Sequence, residues 1–210
     1  MDFLKKGAVK FILSVTVILA IVAVLLRIFF VDPVTVAHNA MAPTLIHGDV
    51  VLVWRGAAVD HGDIVVCRHP NEDRYVMGRV MGTDGMRIDE LRNQLRVDGV
   101  TIAHDYRGTI GFFDATRERV ITMRWGMEDL GNSDHYFFEQ LGRDVRIRDV
   151  GAVRGIHLLG DNRAYQDEDS RDFGDVDPTT CIGEVFMRLR PAEGVDLGEE
   201  MPHGWMEFVR

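Results

Sequence analysis

Beyond residue 10 this chain contains no lysine, because Lys5, Lys6 and Lys10 are the only ones. Past the apolar run that follows them, the serines are Ser133 and Ser170 alone. These two facts bound any nucleophilic chemistry. A hydroxyl attacks only when a neighbouring base takes its proton, and a lysine serves as that base only when burial lowers its pKa. A Ser–Lys pair in the body of the chain is therefore excluded by composition. The hydroxyl in the most motif-like stretch, His38-Asn39-Ala40-Met41-Ala42-Pro43-Thr44-Leu45, belongs to Thr44, and no base is indicated beside it. A second concentration of functional groups is Gly160-Asp161-Asn162-Arg163-Ala164-Tyr165-Gln166-Asp167-Glu168-Asp169-Ser170-Arg171. The eight histidines are scattered without a ligand pattern, and the Cys67–Cys181 spacing matches no zinc motif, so neither a metal nor another cofactor is expected.

These groups need elements to position them. Gly7 to Val31 is apolar except for Ser14, Thr16, Lys10 and Arg27, long enough to cross a hydrocarbon core of ~30 Å as a helix. It exceeds the ~7–15 residues of a cleavable signal's apolar region, and no small-x-small site follows, which favours a permanent anchor. Lys5 and Lys6 precede it and Lys10 lies at its near edge, so the N-terminus is expected in the cytoplasm and the domain outside, on the periplasmic face or its equivalent. Asp32-Pro33 ends the helix.

From there the pattern is β. Val50–Trp54 and Ile64–Cys67 are short β-branched runs, each entered through Gly-Asp turn chemistry. Arg74–Gly82 and Met86–Asp89 read as further strands, and Gln94–Ile102 as a hairpin turning at Asp98-Gly99. Residues 104–150 are poorly legible, offering one strand candidate, Arg119–Trp125, and a polar turn at Gly131–Asp134. Gly155–Leu159 and Ile182–Arg190 complete the strands. A tail from Pro191 carries Trp205, Met206 and Phe208, suited to packing on the domain or on a partner. The two cysteines fit either buried thiols or one disulfide. A formal net charge of -9 disfavours nucleic-acid backbones and anionic headgroups.

The order Met41-Ala42-Pro43-Thr44-Leu45, Gly62-Asp63-Ile64-Val65-Val66, Arg79-Val80-Met81-Gly82, Gly160-Asp161-Asn162-Arg163 and Asp169-Ser170-Arg171, behind an anchor, resembles the type I signal peptidases. The resemblance implies a mainly β fold, with a core at 32–90 and 150–192, an inserted lobe at 91–149 and a tail at 193–210. In that family a serine attacks and a lysine is its base. The matching positions here are Ala40 and Gly78; the endoplasmic-reticulum relatives place histidine at the base position, which Gly78 also is not. The family's oxyanion-binding serine aligns with His38. Asp161 and Arg171 match positions expected to pair across the site, and Ser170 the serine that supports the lysine. The box carries one extra residue, with Gln166 in place of a serine.

The chain is thus expected to be a catalytically inactive member that binds exported precursor peptides or acts as an accessory subunit of a membrane complex. The alternative is an active endopeptidase with a non-standard nucleophile such as Thr44.

Overall fold

The computed structural model describes residues 2–91, 94–115, 118–142 and 150–209. One long helix, α1 (Asp2–Phe29), opens the chain. Its segment Val9–Phe29 is long and apolar enough to cross a membrane, and none of it is buried against protein. Apolar side chains on every face suit lipid better than water.

The helix runs into β1 (Val31–Thr35) with a single residue between. That junction is clasped. Arg27 and Arg55 both donate to Asp32, at 2.7 and 2.6 Å, while Arg55 also reaches the Ile28 carbonyl at 2.9 Å.

The remaining strands are β2 (Val50–Arg55), β3 (Ile64–Arg68), β4 (Tyr75–Thr83), β5 (Arg87–Leu91), β6 (Gln94–Val97), β7 (Val100–Thr101), β8 (Ala103–Asp114), β9 (Arg119–Asp129), β10 (Asp134–Gln140), β11 (Gly151–Ala152), β12 (Ile156–Leu159), β13 (Cys181–Arg190) and β14 (Glu207–Phe208). A four-residue helix, α2 (Ser170–Phe173), lies before β13.

The main antiparallel sheet has the order β1-β2-β13-β3-β4-β12, with β14 added on β13. Cys67 and Cys181 face each other across β3 and β13 and are joined by a disulfide, which closes the choice left open by the sequence. A small sheet, β11-β5-β6-β7, contains the expected hairpin. Its turn residues Asp98 and Gly99 both take positive φ, 49° and 77°, as a tight hairpin turn requires.

The third sheet, β10-β9-β8, fills the stretch that was hardest to read. Only part of β9 stood out in the sequence. Strand β8 hides its period because Ile110 is half-buried and Phe113 is exposed on opposite faces, so apolar residues fall on both sides. The expected turn at Gly131–Asp134 gives up its last residue to the start of β10.

Two cores meet at the Ala40 turn. Met41 and Leu45 pack with Val51, Val53, Ile64 and Val66 of the main sheet. Ala42 and Ile46 pack with Phe112, Trp125 and Phe138 of the lobe, and with Leu197 and Met201 of the tail. The tail is more than a surface trailer. Asp49, fully buried, accepts from the Ala192 amide at 2.7 Å and lies 2.9 Å from His203 Nε2. Trp205, Met206 and Phe208 themselves stay exposed.

Candidate functional site

Asn39–Met41 form one turn of 3₁₀ helix, and the Ala42–Pro43 peptide after it is cis. Ala40 is completely buried. Its carbonyl accepts from the Asn162 amide at 2.9 Å, and Asn162 Nδ2 donates to the Asn39 carbonyl at 3.0 Å. Gly160 explains how the two loops come so close. A Cβ there would stand 2.6 Å from the Ala40 oxygen, so any other residue would force them apart. Asn39 fixes the far side, donating to Asp114 at 3.1 Å and accepting from the His47 amide at 2.9 Å.

His38 adopts the role opposite to an oxyanion donor. Its Nδ1 accepts a long hydrogen bond from the Ala40 amide at 3.4 Å. The amide that could hold a developing oxyanion is thereby occupied from within the chain. The other ring nitrogen lies 3.4 Å from Glu168, whose carboxylate also takes Arg74 at 2.5 Å. Burial holds the His38 imidazole below its ordinary pKa; Glu168 opposes this and Arg74 reinforces it. A neutral ring that accepts on Nδ1 is consistent with that direction.

Gly78 lies in β4, where the sheet leaves no space for a side chain. A Cβ would sit 2.9 Å from Leu158 Cβ, closer than real contacts permit. Leu158 is itself buried, on the C-terminal side of a bulge between His157 and Leu158 in the β12–β4 pairing. The base position is thus filled from the neighbouring strand.

The retained motif residues form a frame around this corner. Asp161 was expected opposite Arg171, and the structure corrects that. Arg79 Nε and one of its terminal nitrogens donate to the two Asp161 oxygens at 2.8 and 2.7 Å, both residues being buried. Arg171 instead turns back on Asp169, with its nearest contact at 2.6 Å, and donates to the Arg163 carbonyl at 3.0 Å. The reason is geometric: Asp169 is two residues away and caps α2, leaving Arg171 within local reach, whereas β4 delivers Arg79 directly beneath Asp161.

Burial alone would raise the Asp161 carboxyl, but Arg79, aided by His135 and the Thr44 hydroxyl, holds the group below the usual carboxylate range. Thr44 Oγ1 donates to Asp161 at 2.5 Å. A carboxylate kept ionised by a buried guanidinium is a poor proton acceptor, so this pair lacks the base that a threonine nucleophile needs. Ser170 accepts from the Leu158 amide at 2.9 Å, and Asp169 from the Gly160 amide at 3.0 Å. Ser170, which the resemblance likens to a serine supporting a lysine, here holds the strand whose Leu158 packs against Gly78.

One group of residues escaped the sequence reading. Glu128 of β9 is fully buried and contacts Arg163, while His104 of β8 and His135 of β10 each place Nε2 3.1 Å from its carboxylate. Only a charged residue on the inward face of a strand signalled them, and two of their three strands were not recognised.

The chain's similarity to known proteins agrees with this geometry. The family model described as "Signal peptidase, peptidase S26" matches residues 9–190. "Signal peptidase IB" of Staphylococcus aureus (strain Mu50) is 27% identical over 195 residues, covering 90% of this chain and 92% of that protein. "Signal peptidase I" of Streptococcus pneumoniae serotype 4 is 25% identical over 176 residues, covering 79% and 85%. With its Met41–Leu45 turn, its Arg79–Asp161 pair and its Asp169–Arg171 box set behind an apolar N-terminal helix, the chain belongs to the signal peptidase family, peptidase S26.

Proposed function

We propose that this chain is a membrane-anchored signal peptidase homologue that binds without cutting. It holds extended, small-residue segments of exported precursors by strand addition, or it serves as an accessory subunit of a membrane complex. The observation that carries the reading is the filled base position: Leu158 occupies the space next to Gly78 that a lysine would need. Ala40 removes the nucleophile, and the His38 ring takes the amide an oxyanion would use. Loss of nucleophile or base alone lowers hydrolase turnover by on the order of 10⁴–10⁶. Against this, the frame around the corner is intact, which supports a retained binding role.

The domain stands on the extracytoplasmic side in this reading. Lys5 and Lys6 precede the anchor and Lys10 lies at its near edge, and the Cys67–Cys181 bridge suits an oxidising compartment.

The test is cleavage of an exported precursor by the chain in liposomes, beside an Ala40→Ser, Gly78→Lys, Leu158→Ala variant and an active relative. No cleavage by the natural chain is expected. Crosslinking in cells then separates the two versions: many precursors support peptide binding, and one stable partner supports the accessory role. Cleavage by the natural chain that is abolished by Thr44→Val would overturn the reading in favour of a threonine nucleophile.

A further inference from the structure

The inserted lobe is joined to the core by a buried ionic cluster that the inactive corner does not require. Arg79 of β4, Asp161 and Arg163 of the box, Glu128 of β9, and His104 and His135 of β8 and β10 converge on one seam. His135 Nε2 lies 3.1 Å from Glu128 and 3.6 Å from Asp161. Thr44 closes the core side through Asp161, and Phe137 lies beside both His104 and the Arg163 guanidinium. Two backbone bonds complete the seam: the Phe138 amide to the Asp161 carbonyl, and the Arg163 amide to the Phe138 carbonyl, both 2.8 Å.

The charges balance while the histidines are neutral. Two guanidiniums face two carboxylates, and each imidazole brings its Nε2 to 3.1 Å from Glu128 without completing a hydrogen bond there. Both ring nitrogens of His135 are buried and without a hydrogen-bond partner among the described residues, so a second proton finds no acceptor whichever nitrogen takes it. That proton adds a third positive charge to a closed, balanced cluster.

We propose that this seam is an acid-released latch, in which protonation of His135 frees the β8–β10 lobe from the Asp161–Arg163 loop. This goes beyond the binding role proposed above and does not depend on it. The direction follows from linkage. Burial, reinforced by Arg79, holds the His135 imidazole below its ordinary value despite Asp161 and Glu128. The unfolded or released state therefore takes up the proton first. The latch is fully effective above about pH 6.5 and weakens as pH falls from there. Glu128 is held well below the ordinary carboxylate value and Asp161 below it, so both remain ionised through that window.

The experiment uses the full chain in nanodiscs. Hydrogen exchange at the Phe138 and Arg163 amides, corrected for intrinsic rates, is compared at pH 7.5 and 5.5 with amides of β3 and β13. A loss of protection confined to the seam is expected, of up to about tenfold, the limit that uptake of one proton at an ordinary imidazole value of about 6.5 sets at pH 5.5. His135→Gln keeps a nitrogen donor without titrating, and should remove the pH effect while leaving protection at pH 7.5. An equal acid loss in His135→Gln, or none in the natural chain, would overturn the latch. Because the variant itself can fail to fold, the His135 ring in the natural chain is also titrated by NMR. A midpoint at or above 6.5 would equally sink the proposal.

Discussion

The Ala40–Gly78 corner and the Arg79–Asp161 frame are built from adjacent residues, yet they have gone opposite ways. At the corner the residues are small, and neighbours pack onto them: Leu158 against Gly78, and the His38 ring onto the Ala40 amide. One residue along β4, Arg79 keeps both bonds to Asp161 with almost no exposure to solvent. The contrast separates chemistry from support. Reactive side chains can be deleted at little structural cost, because an active site tolerates space. A buried charge pair cannot lose one member, because the other is left in the interior without a counter-charge.

The most forceful way to break this contrast is Asp161→Ala. It strands Arg79 and is expected to lower unfolding free energy by about 3–5 kcal/mol, measured by denaturant titration in detergent. A loss below about 1 kcal/mol would mean that the frame is no more structural than the corner. Next in size is removal of the Cys67–Cys181 bridge by a double alanine substitution. Cross-linking residues 114 positions apart restricts the unfolded chain, so a loss of about 2–4 kcal/mol is expected. Reducing the natural protein should reproduce the shift.

Gly78→Lys sharpens the corner's side of the comparison. Forcing a side chain against Leu158 should cost about 1–3 kcal/mol. The double variant with Leu158→Ala should lose less than the sum of the single losses, because the two sites share one space. Strict additivity would show that Leu158 is not what fills the base position.

The smallest effect belongs to His38. His38→Ala removes the acceptor for the Ala40 amide and should cost about 1 kcal/mol at pH 7.5. Since burial depresses the His38 pKa, its contribution is complete above about pH 6.5 and declines as pH falls. The stability gap between natural chain and variant should therefore narrow on acidification. A gap that widens would mean that the ring is held charged by Glu168 instead.

Much of the main sheet was visible in the sequence because its signals are local. Val50–Trp54 and Ile64–Cys67 alternate or run apolar behind Gly-Asp, and Gly48 and Gly62 both take φ of 95° at those turns. The anchor was visible from length alone. The absence of a Ser–Lys pair was also legible, because lack of lysine is a property of composition that no alignment can repair. What could not be read was pairing at long range. The sequence pointed to Arg171 as the partner of Asp161, and Arg79 emerged as that partner only with β4 placed beneath it. Cys67 and Cys181 could be matched only once β3 and β13 were in register. Glu128, His104 and His135 form a site only through a three-stranded lobe whose period is blurred by apolar residues on both faces.

The clasp of Arg27, Arg55 and Asp32 where α1 becomes β1 has a consequence for reach. A domain on a flexible tether explores a shell of positions above its anchor, but here helix passes into strand across Phe30 alone. The height and heading of the domain are then dictated by the tilt and rotation of one helix. Bilayer thickness would steer this chain as a keel does, setting which way the Ala40 corner faces and how far from the lipid it stands.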